Sequence, residues 1–289
     1  MDLSFSRLIY QIRIIAHRTL FPLRRLYYRA ALMFSGTAPS VRCPICGWEG
    51  KQFADFDIGY GRMYKNATCP VCKSQPHHRL VYLYALSDLP KNPPASILHI
   101  APEWCLQSFF QSQPKSRYLS VDTIGRRAMR RENIEHLTCT DHQFDLIVCI
   151  NVLEHVSRDR DAMREFYRVL KPGGRCILIT TIGYWKLHTL EDPAITSPYE
   201  RAMAYWQDDH VRRYGRDFVA RLELTGFEVY AVFRRDLTTP DTFHRYGLPP
   251  VPLYIATKVK KGHKVKKYTI PKKFLSWLVD EKRGSNNVW

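Results

Sequence analysis

From residue 95 onward the chain alternates short apolar runs with helix-forming segments, and this rhythm limits the fold more than any other feature of the sequence. Apolar runs lie at 96–100, 118–121, 146–150, 176–180, 227–233 and 253–257, with a weaker one at 134–137. The helical stretches between them centre on 106–111, 126–131, 160–170 and 216–225. Such alternation predicts a mostly parallel sheet covered by helices on both faces. Ligands of these sheets bind beyond the carboxyl ends of the strands, where the strand order reverses.

The segment before residue 95 follows a different logic. Cys43 and Cys46 stand in Cys-Pro-Ile-Cys-Gly, Cys69 and Cys72 in Cys-Pro-Val-Cys-Lys, and 22 residues separate the pairs. Two thiolates two residues apart chelate one ion from a tight turn, and two such turns complete a tetrahedral site with no open position. The spacing predicts a structural Zn2+ ribbon, with Lys51, Lys65, Lys73 and Arg79 offsetting the thiolate charge. Two disulfides are the competing account. The other four cysteines are irregularly spaced, and Cys149 and Cys176 read as packing residues inside apolar runs, so a reducing, cytoplasmic setting fits better.

The net charge of +17 sits mostly at the ends. Residues 1–40 carry six arginines against Asp2, and residues 256–289 carry nine lysines and Arg283 against Asp280 and Glu281, which leaves +4 for the body. Two basic ends suit anionic lipid, nucleic acid or an acidic partner. Residues 1–35 interleave the arginines with Leu8, Ile9, Ile12, Ile15, Leu20 and Leu26. They read as helix broken near Pro22, lying in a membrane interface or packed on the body, with a transit peptide as a third account. No run of 18 uncharged apolar residues is present to span a bilayer. The expected organisation is a basic amphipathic region at 1–40, a zinc ribbon at 41–80, a main domain at 81–258 and a Lys-rich tail at 259–289.

Residues 144–174 read FDLIVCINVLEHVSRDRDAMREFYRVLKPGG. They open a strand with Phe144-Asp145, turn through Val152-Leu153-Glu154-His155-Val156, and end a helix in Arg168-Val169-Leu170-Lys171-Pro172-Gly173-Gly174. Pro172 is expected to stop that helix, and the glycines permit a sharp turn. By the order and spacing of these motifs, residues 95–258 resemble the class I S-adenosylmethionine-dependent methyltransferases of the type 11 group. The resemblance implies an α/β, Rossmann-like domain with a seven-stranded, mostly parallel sheet, and S-adenosylmethionine as cofactor. The chain is similar to a bacterial subset with an N-terminal zinc ribbon, Ala-Pro-Glu as at 101–103, and the Gln-x-Asp-His-Val-Arg-x-Tyr-Gly stretch found at 207–215.

The family's glycine-rich loop is replaced here by His99-Ile100-Ala101-Pro102-Glu103. Ala101 is nearly as small as glycine, and Glu103 offers an acceptor to the cofactor's ammonium group. Asp122, ending the second strand 24 residues beyond Leu98, is expected to accept both ribose hydroxyls. Asn151 and Val152, just after the fourth strand, should lie near the methyl group, and Glu135 or Thr138 should approach adenine.

For the acceptor, some relatives bind metal through Glu-x-x-Glu-His, but Asn151 removes the first carboxylate and speaks against a catalytic metal. His155 reads as structural. His210, beside Asp209, is the expected catalytic base, because the loop after the fifth strand covers the acceptor and histidine titrates near neutral pH; a capping or core histidine is the competing account. Tyr184, Trp185, Tyr205 and Trp206 suit an aromatic wall. The expected acceptor is a small, glycan or lipid-linked molecule, at the inner membrane surface if the N-terminal helix binds lipid. RNA is the runner-up, since Asn-Val-Leu-Glu is not the Asn/Asp-Pro-Pro-aromatic of base-amino methyltransferases but leaves ribose or carbon methylation open. A non-catalytic zinc-containing interaction module is the third reading.

Overall fold

The computed structural model describes residues 39–124 and 127–260, together with Leu23, Leu26 and Tyr27, which are helical and exposed. The readings for the rest of the 1–40 region and for the tail beyond residue 260 lie outside the described residues.

The N-terminal unit is two cysteine turns separated by a hairpin. β1 (Val41–Arg42) pairs antiparallel with β2 (Glu49–Gly50) around the first turn, and β3 (Ala54–Gly59) pairs with β4 (Arg62–Thr68) ahead of the second. The turns are built alike: Gly47 donates its N–H to Cys43 O at 2.8 Å and Lys73 to Cys69 O at 2.9 Å. Gly47 and Lys73, one residue past each pair, both sit at positive φ, 69° and 60°. Trp48, Phe53 and Val71 pack around the four cysteines as a small separate core. A unit of about 40 residues with so little apolar burial needs another fastening.

The main domain is a seven-stranded sheet. β5 (Ser96–Ile100), β6 (Arg117–Asp122), β7 (Arg130–Arg131), β8 (Phe144–Ile150), β9 (Leu170–Ile179), β10 (Phe227–Val232) and β11 (Leu253–Lys258) lie in the order β10-β11-β9-β8-β5-β6-β7. β11 is antiparallel to both its neighbours, and the other pairs are parallel. The order reverses between β5 and β8, so a crevice opens at their carboxyl ends. Side chains alternate across the sheet. Leu98, Ile100, Ile147, Cys149 and Leu178 pack with Ala162, Met163 and Phe166 of the helix Asp159–Val169. Ile97, Leu146, Val148 and Ile177 pack with Leu80, Val81 and Tyr84 of the helix Pro76–Asp88 and with Leu106 and Phe110 of the helix Trp104–Gln111. All eight cysteines are free, and Cys149 and Cys176 are buried packing residues.

Several local expectations need correction. Residues 134–137 are a turn, and the edge strand is Arg130–Arg131, paired with Val121 and Asp122. Ile134 and Leu137 are apolar because they plug the core, whereas the polar edge strand is held by backbone pairing and by the Arg130 side chain, which pairs with Glu132 and donates to Thr138 Oγ1 at 3.0 Å. The helix expected over 126–131 is absent from 127–131, which form bends and that strand; Gly125 and Arg126 lie outside the described residues. The helix Asp159–Val169 ends before Pro172, which falls within β9. The helix Pro76–Asp88 runs through the 80/81 boundary, so the second cysteine turn leads straight into a helix of the main domain.

Asp145 ties the start of β8 to its surroundings. Its carboxylate accepts from Ser96 Oγ at 2.7 Å and Lys171 Nζ at 2.8 Å. Burial alone would raise its pKa, but Lys171 and Ser96 outweigh burial and hold it below the usual carboxylate range. A depressed folded-state pKa gives stability that is present above about pH 4 and is lost as pH falls through the folded value. Asp145→Asn should therefore be less stable than wild type by about 1 kcal/mol near neutrality. Thermal melts repeated toward acid should show that gap closing; a pH-independent gap would contradict the linkage.

Candidate functional site

The turn after β5 borders the crevice. His99 is buried in the strand, with Nδ1 3.0 Å from Tyr118 Oη and Nε2 3.0 Å from Glu103 Oε2. That contact anchors Glu103 at the N-cap of the helix Trp104–Gln111. Ala101 adopts φ +44°, and its N–H donates to Val121 O at 2.7 Å. A non-glycine residue held there stores about 1–2 kcal/mol of strain, a feature that clusters at ligand sites. Ala101 thus keeps a glycine-like bend with the smallest side chain, and the buried Pro102 follows it.

Asp122 ends β6 on the same rim, half-buried, with Oδ1 accepting from the Ile124 N–H at 3.3 Å. Beside it is an acid that the sequence reading passed over. Glu132 directly follows β7, donates its N–H to Asp122 O at 3.1 Å, and is buried. Its carboxylate accepts from the Thr138 N–H at 3.1 Å and the Thr138 hydroxyl at 2.7 Å, and it pairs with Arg130. Glu135 instead accepts from the Arg158 N–H at 2.7 Å, ahead of the helix Asp159–Val169. Knowing that the edge strand stops at Arg131 would have pointed to Glu132.

Across the crevice, Asn151 leaves β8 at φ +49°, with its N–H on Ile179 O at 2.8 Å, and Val152 beside it is half-buried. Its side-chain amide Nδ2 lies 3.3 Å from His77 Nε2. Hydrogen bonding fixes the tautomers here. The Gln75 N–H donates to His78 Nδ1 at 3.0 Å, so neutral His78 carries its proton on Nε2, which lies 3.1 Å from His77 Nε2. His77 Nε2 therefore accepts, from His78 and from the Asn151 amide. Burial holds both rings neutral, lowering His78 well below the usual histidine range and His77 to about 3.

His77, Asn151, Thr180 and Tyr184 line one pocket, and Phe56 and Tyr64 of the β3–β4 hairpin close it from the ribbon side. The last two rings stack at 6.5 Å. Of the four aromatics expected as a wall, Tyr184 takes that position. Tyr205 is buried with its hydroxyl on Asp192, while Trp185 and Trp206 flank the Arg213 guanidinium at 5.7 and 5.0 Å. The ribbon is seated by Arg79, which is fully buried and donates to Ala67 O at 3.0 Å, Ser74 O at 2.9 Å and Gly247 O at 2.9 Å. Gly247 has φ +55°, and a Cβ there would meet Phe53 at 2.7 Å, so only glycine fits this junction. Lys65 is spent on a surface pair with Asp55.

Behind Thr180 lies a second group. Glu154 is buried and accepts from Thr180 Oγ1 at 2.8 Å, the Thr181 N–H at 3.2 Å and Thr181 Oγ1 at 3.0 Å. His155 Nδ1 is 3.3 Å from Asp209 Oδ2. His210 is buried, has Nδ1 2.9 Å from Tyr205 O, and meets the His155 ring edge to face at 4.6 Å. Burial works to lower both rings. It prevails at His210, whereas the Asp209 hydrogen bond and the Glu154 charge raise His155. Arg212 clamps the same turn by donating to Leu153 O at 3.0 Å and Ser157 O at 2.9 Å, and Tyr214 donates to Asp159 at 2.8 Å. The motifs at 152–156 and 207–215 are thus one structural unit.

In the ribbon, Cys43 Sγ lies 3.6 Å from Cys72 Sγ, Cys46 Sγ lies 3.6 Å from Cys69 Sγ, and all four sulfurs fall within 4.8 Å of one another. A tetrahedral ion with bonds of about 2.3 Å sets its sulfurs roughly 3.8 Å apart, and a disulfide needs about 2.05 Å. The four thiols match the first spacing.

Residues 112–178 match the family described as methyltransferase domain. A 47-residue stretch is 49% identical to an uncharacterized protein of Methanocaldococcus jannaschii, covering 16% of this chain and 20% of that one. A 65-residue stretch is 32% identical to the ubiquinone/menaquinone biosynthesis C-methyltransferase UbiE of Haemophilus ducreyi, covering 22% of this chain and 25% of that one. The chain therefore spans a quarter or less of the length of these relatives. Among solved structures, the complex between the Haloferax volcanii Trm112 methyltransferase activator and a methyltransferase aligns at TM-score 0.45 and 12% identity, over 65% of this chain and 92% of that one. Among the described residues no helix is long and apolar enough to cross a membrane.

Proposed function

We propose that this chain, a class I methyltransferase by its sheet order and its family match over residues 112–178, methylates a small, glycan or lipid-linked acceptor held between the β3–β4 hairpin and the ends of β8 and β9. The observation that carries this reading is the pocket's opening onto Asn151, at the strand end beside the switch in strand order.

Bound S-adenosylmethionine supplies a methyl group on an electrophilic sulfonium. The residues fit such a ligand: a strained Ala101 at the turn, an anchored Glu103 for a cationic group, and a half-buried Asp122 for vicinal hydroxyls. Pro102 and His99 hold that turn in shape, and Asn151 and Val152 border the opposite side. Orientation of the acceptor then falls to Asn151 and His77, with Phe56, Tyr64 and Tyr184 excluding water, since positioning supplies much of the acceleration in such a transfer. We assign Asp209 and His210, grouped with His155 behind Thr180 and outside the pocket lining, to the acceptor's proton. Cys43, Cys46, Cys69 and Cys72 would hold a structural Zn2+ with no open position.

Asp122→Ala is expected to weaken S-adenosylmethionine binding by about 1.5–3 kcal/mol, roughly ten- to a hundredfold, because it removes hydrogen bonds to a charged acceptor. Titration calorimetry on wild type and variant measures this; equal affinities would reject the ribose assignment, and no binding by wild type would overturn the methyltransferase reading. Transfer of labelled methyl into fractionated lipid, glycan, RNA and protein then identifies the acceptor class.

A further inference from the structure

We propose that Glu154, His155 and His210 form a second metal site, separate from the four cysteines, that takes a divalent first-row transition ion. One ligand atom from each of the three lies within 4.8 Å of the others. Among the described residues no hydrogen bond joins either ring to the carboxylate, so the three groups do not use their lone pairs on one another.

Three features of the chemistry point to a cation. The first is Glu154 itself, a carboxylate with no exposure whose donors are all neutral: Thr180 Oγ1, the Thr181 N–H and Thr181 Oγ1. Buried charges are paired or bound to metal, and no Lys or Arg side chain among the described residues pairs with this one. A carboxylate has about four acceptor positions, so three donors leave one. The second is the state of the rings. His210 donates Nδ1–H to Tyr205 O, and His155 turns Nδ1 to the Asp209 carboxylate, which leaves Nε2 of each as its metal-binding lone pair. A carbonyl or carboxylate behind a histidine is the usual outer support of a metal ligand. The third is access. Asp209 and His155 are 65% and 31% exposed, so an ion reaches the corner from solvent although Glu154 and His210 are buried.

Two imidazoles and one carboxylate favour zinc, cobalt, iron or manganese over calcium or magnesium and leave coordination positions for water. His210 stands 56 positions beyond Glu154, and only the fold brings the two near. This deepens the proton-handling role given to the corner above, but the site stands on its own residues and its test uses no methyl donor.

The test is cobalt loading of the untagged full-length chain, first stripped of metal under reducing conditions, with metal per chain and visible absorption recorded together. Two ions per chain are expected. The first should show the intense sulfur-to-cobalt charge-transfer bands of a thiolate centre, and the second only weak ligand-field bands. Glu154→Gln and the half-exposed His155→Gln should each lose the second ion and its weak bands while keeping the thiolate spectrum, which also reports that the chain is folded. One ion per chain in wild type, or two ions retained in both variants, would overturn the site. Failure of methyl transfer with two ions present would count against the function proposed above and not against this site.

Discussion

Cys46→Ser is expected to release the ribbon's metal and abolish the order of residues 41–75. The four sulfurs stand at tetrahedral spacing, and among the described residues the buried apolar partners around them are Trp48, Phe53 and Val71, with Val41, Ile45 and Cys105 partly buried against them. A structural zinc contributes about 10–16 kcal/mol of apparent free energy in units this small, more than such a core returns on its own. Losing one thiolate leaves an incomplete shell, so most of that contribution goes. The loss should reach the main domain, because Phe56 and Tyr64 close the pocket from the ribbon side. Metal analysis and limited proteolysis measure both effects: about one equivalent less zinc in the variant than in wild type, with new cleavage between the two cysteine turns. Wild-type protein prepared under reducing conditions without zinc, or a variant with unchanged protease resistance, would reject the ribbon assignment.

Arg79→Leu should cost about 3–5 kcal/mol, the range for breaking a buried polar network. Leucine matches part of the volume but strands the buried carbonyls of Ala67 and Ser74 and the part-buried one of Gly247, and removes a guanidinium lying 4.0 Å over Phe53. Each stranded acceptor carries about 1–3 kcal/mol of desolvation cost, reduced where a carbonyl keeps another partner, as Ser74 O does with the Cys69 N–H. Denaturant unfolding should show a lower midpoint, and hydrogen exchange should show the hairpin opening before the sheet. A single unshifted transition would mean that the ribbon is seated by other contacts.

The layered sheet was legible because its evidence is local. Buried strands write themselves as apolar runs, and residues 96–100 appear in the structure with the bounds the sequence suggested. The cysteine turns were legible for the same reason, since each holds its two ligands within four residues. Arg130–Arg131 was not legible, because an edge strand of two polar residues leaves no apolar signal, while Ile134 and Leu137 gave one from a turn. Directly after the second cysteine turn, His77, His78 and Arg79 read in the sequence as facing the acceptor cleft, while the placement of His77 on Asn151 depends on a contact across 74 positions.

What the sequence determined by itself was therefore the set of elements: the layered α/β domain, the two paired-cysteine turns and the acid at the end of β6, each encoded within a few residues. Only the tertiary structure decided how they share a site. The hairpin between the cysteine turns becomes a wall of the pocket because Arg79 and Gly247 lock the ribbon onto the main domain. Glu154, His155 and His210 meet because Arg212 ties its loop to the turn after β8. These contacts join residues far apart in the chain, and packing at a distance follows from the shapes of both partners, which no local pattern records.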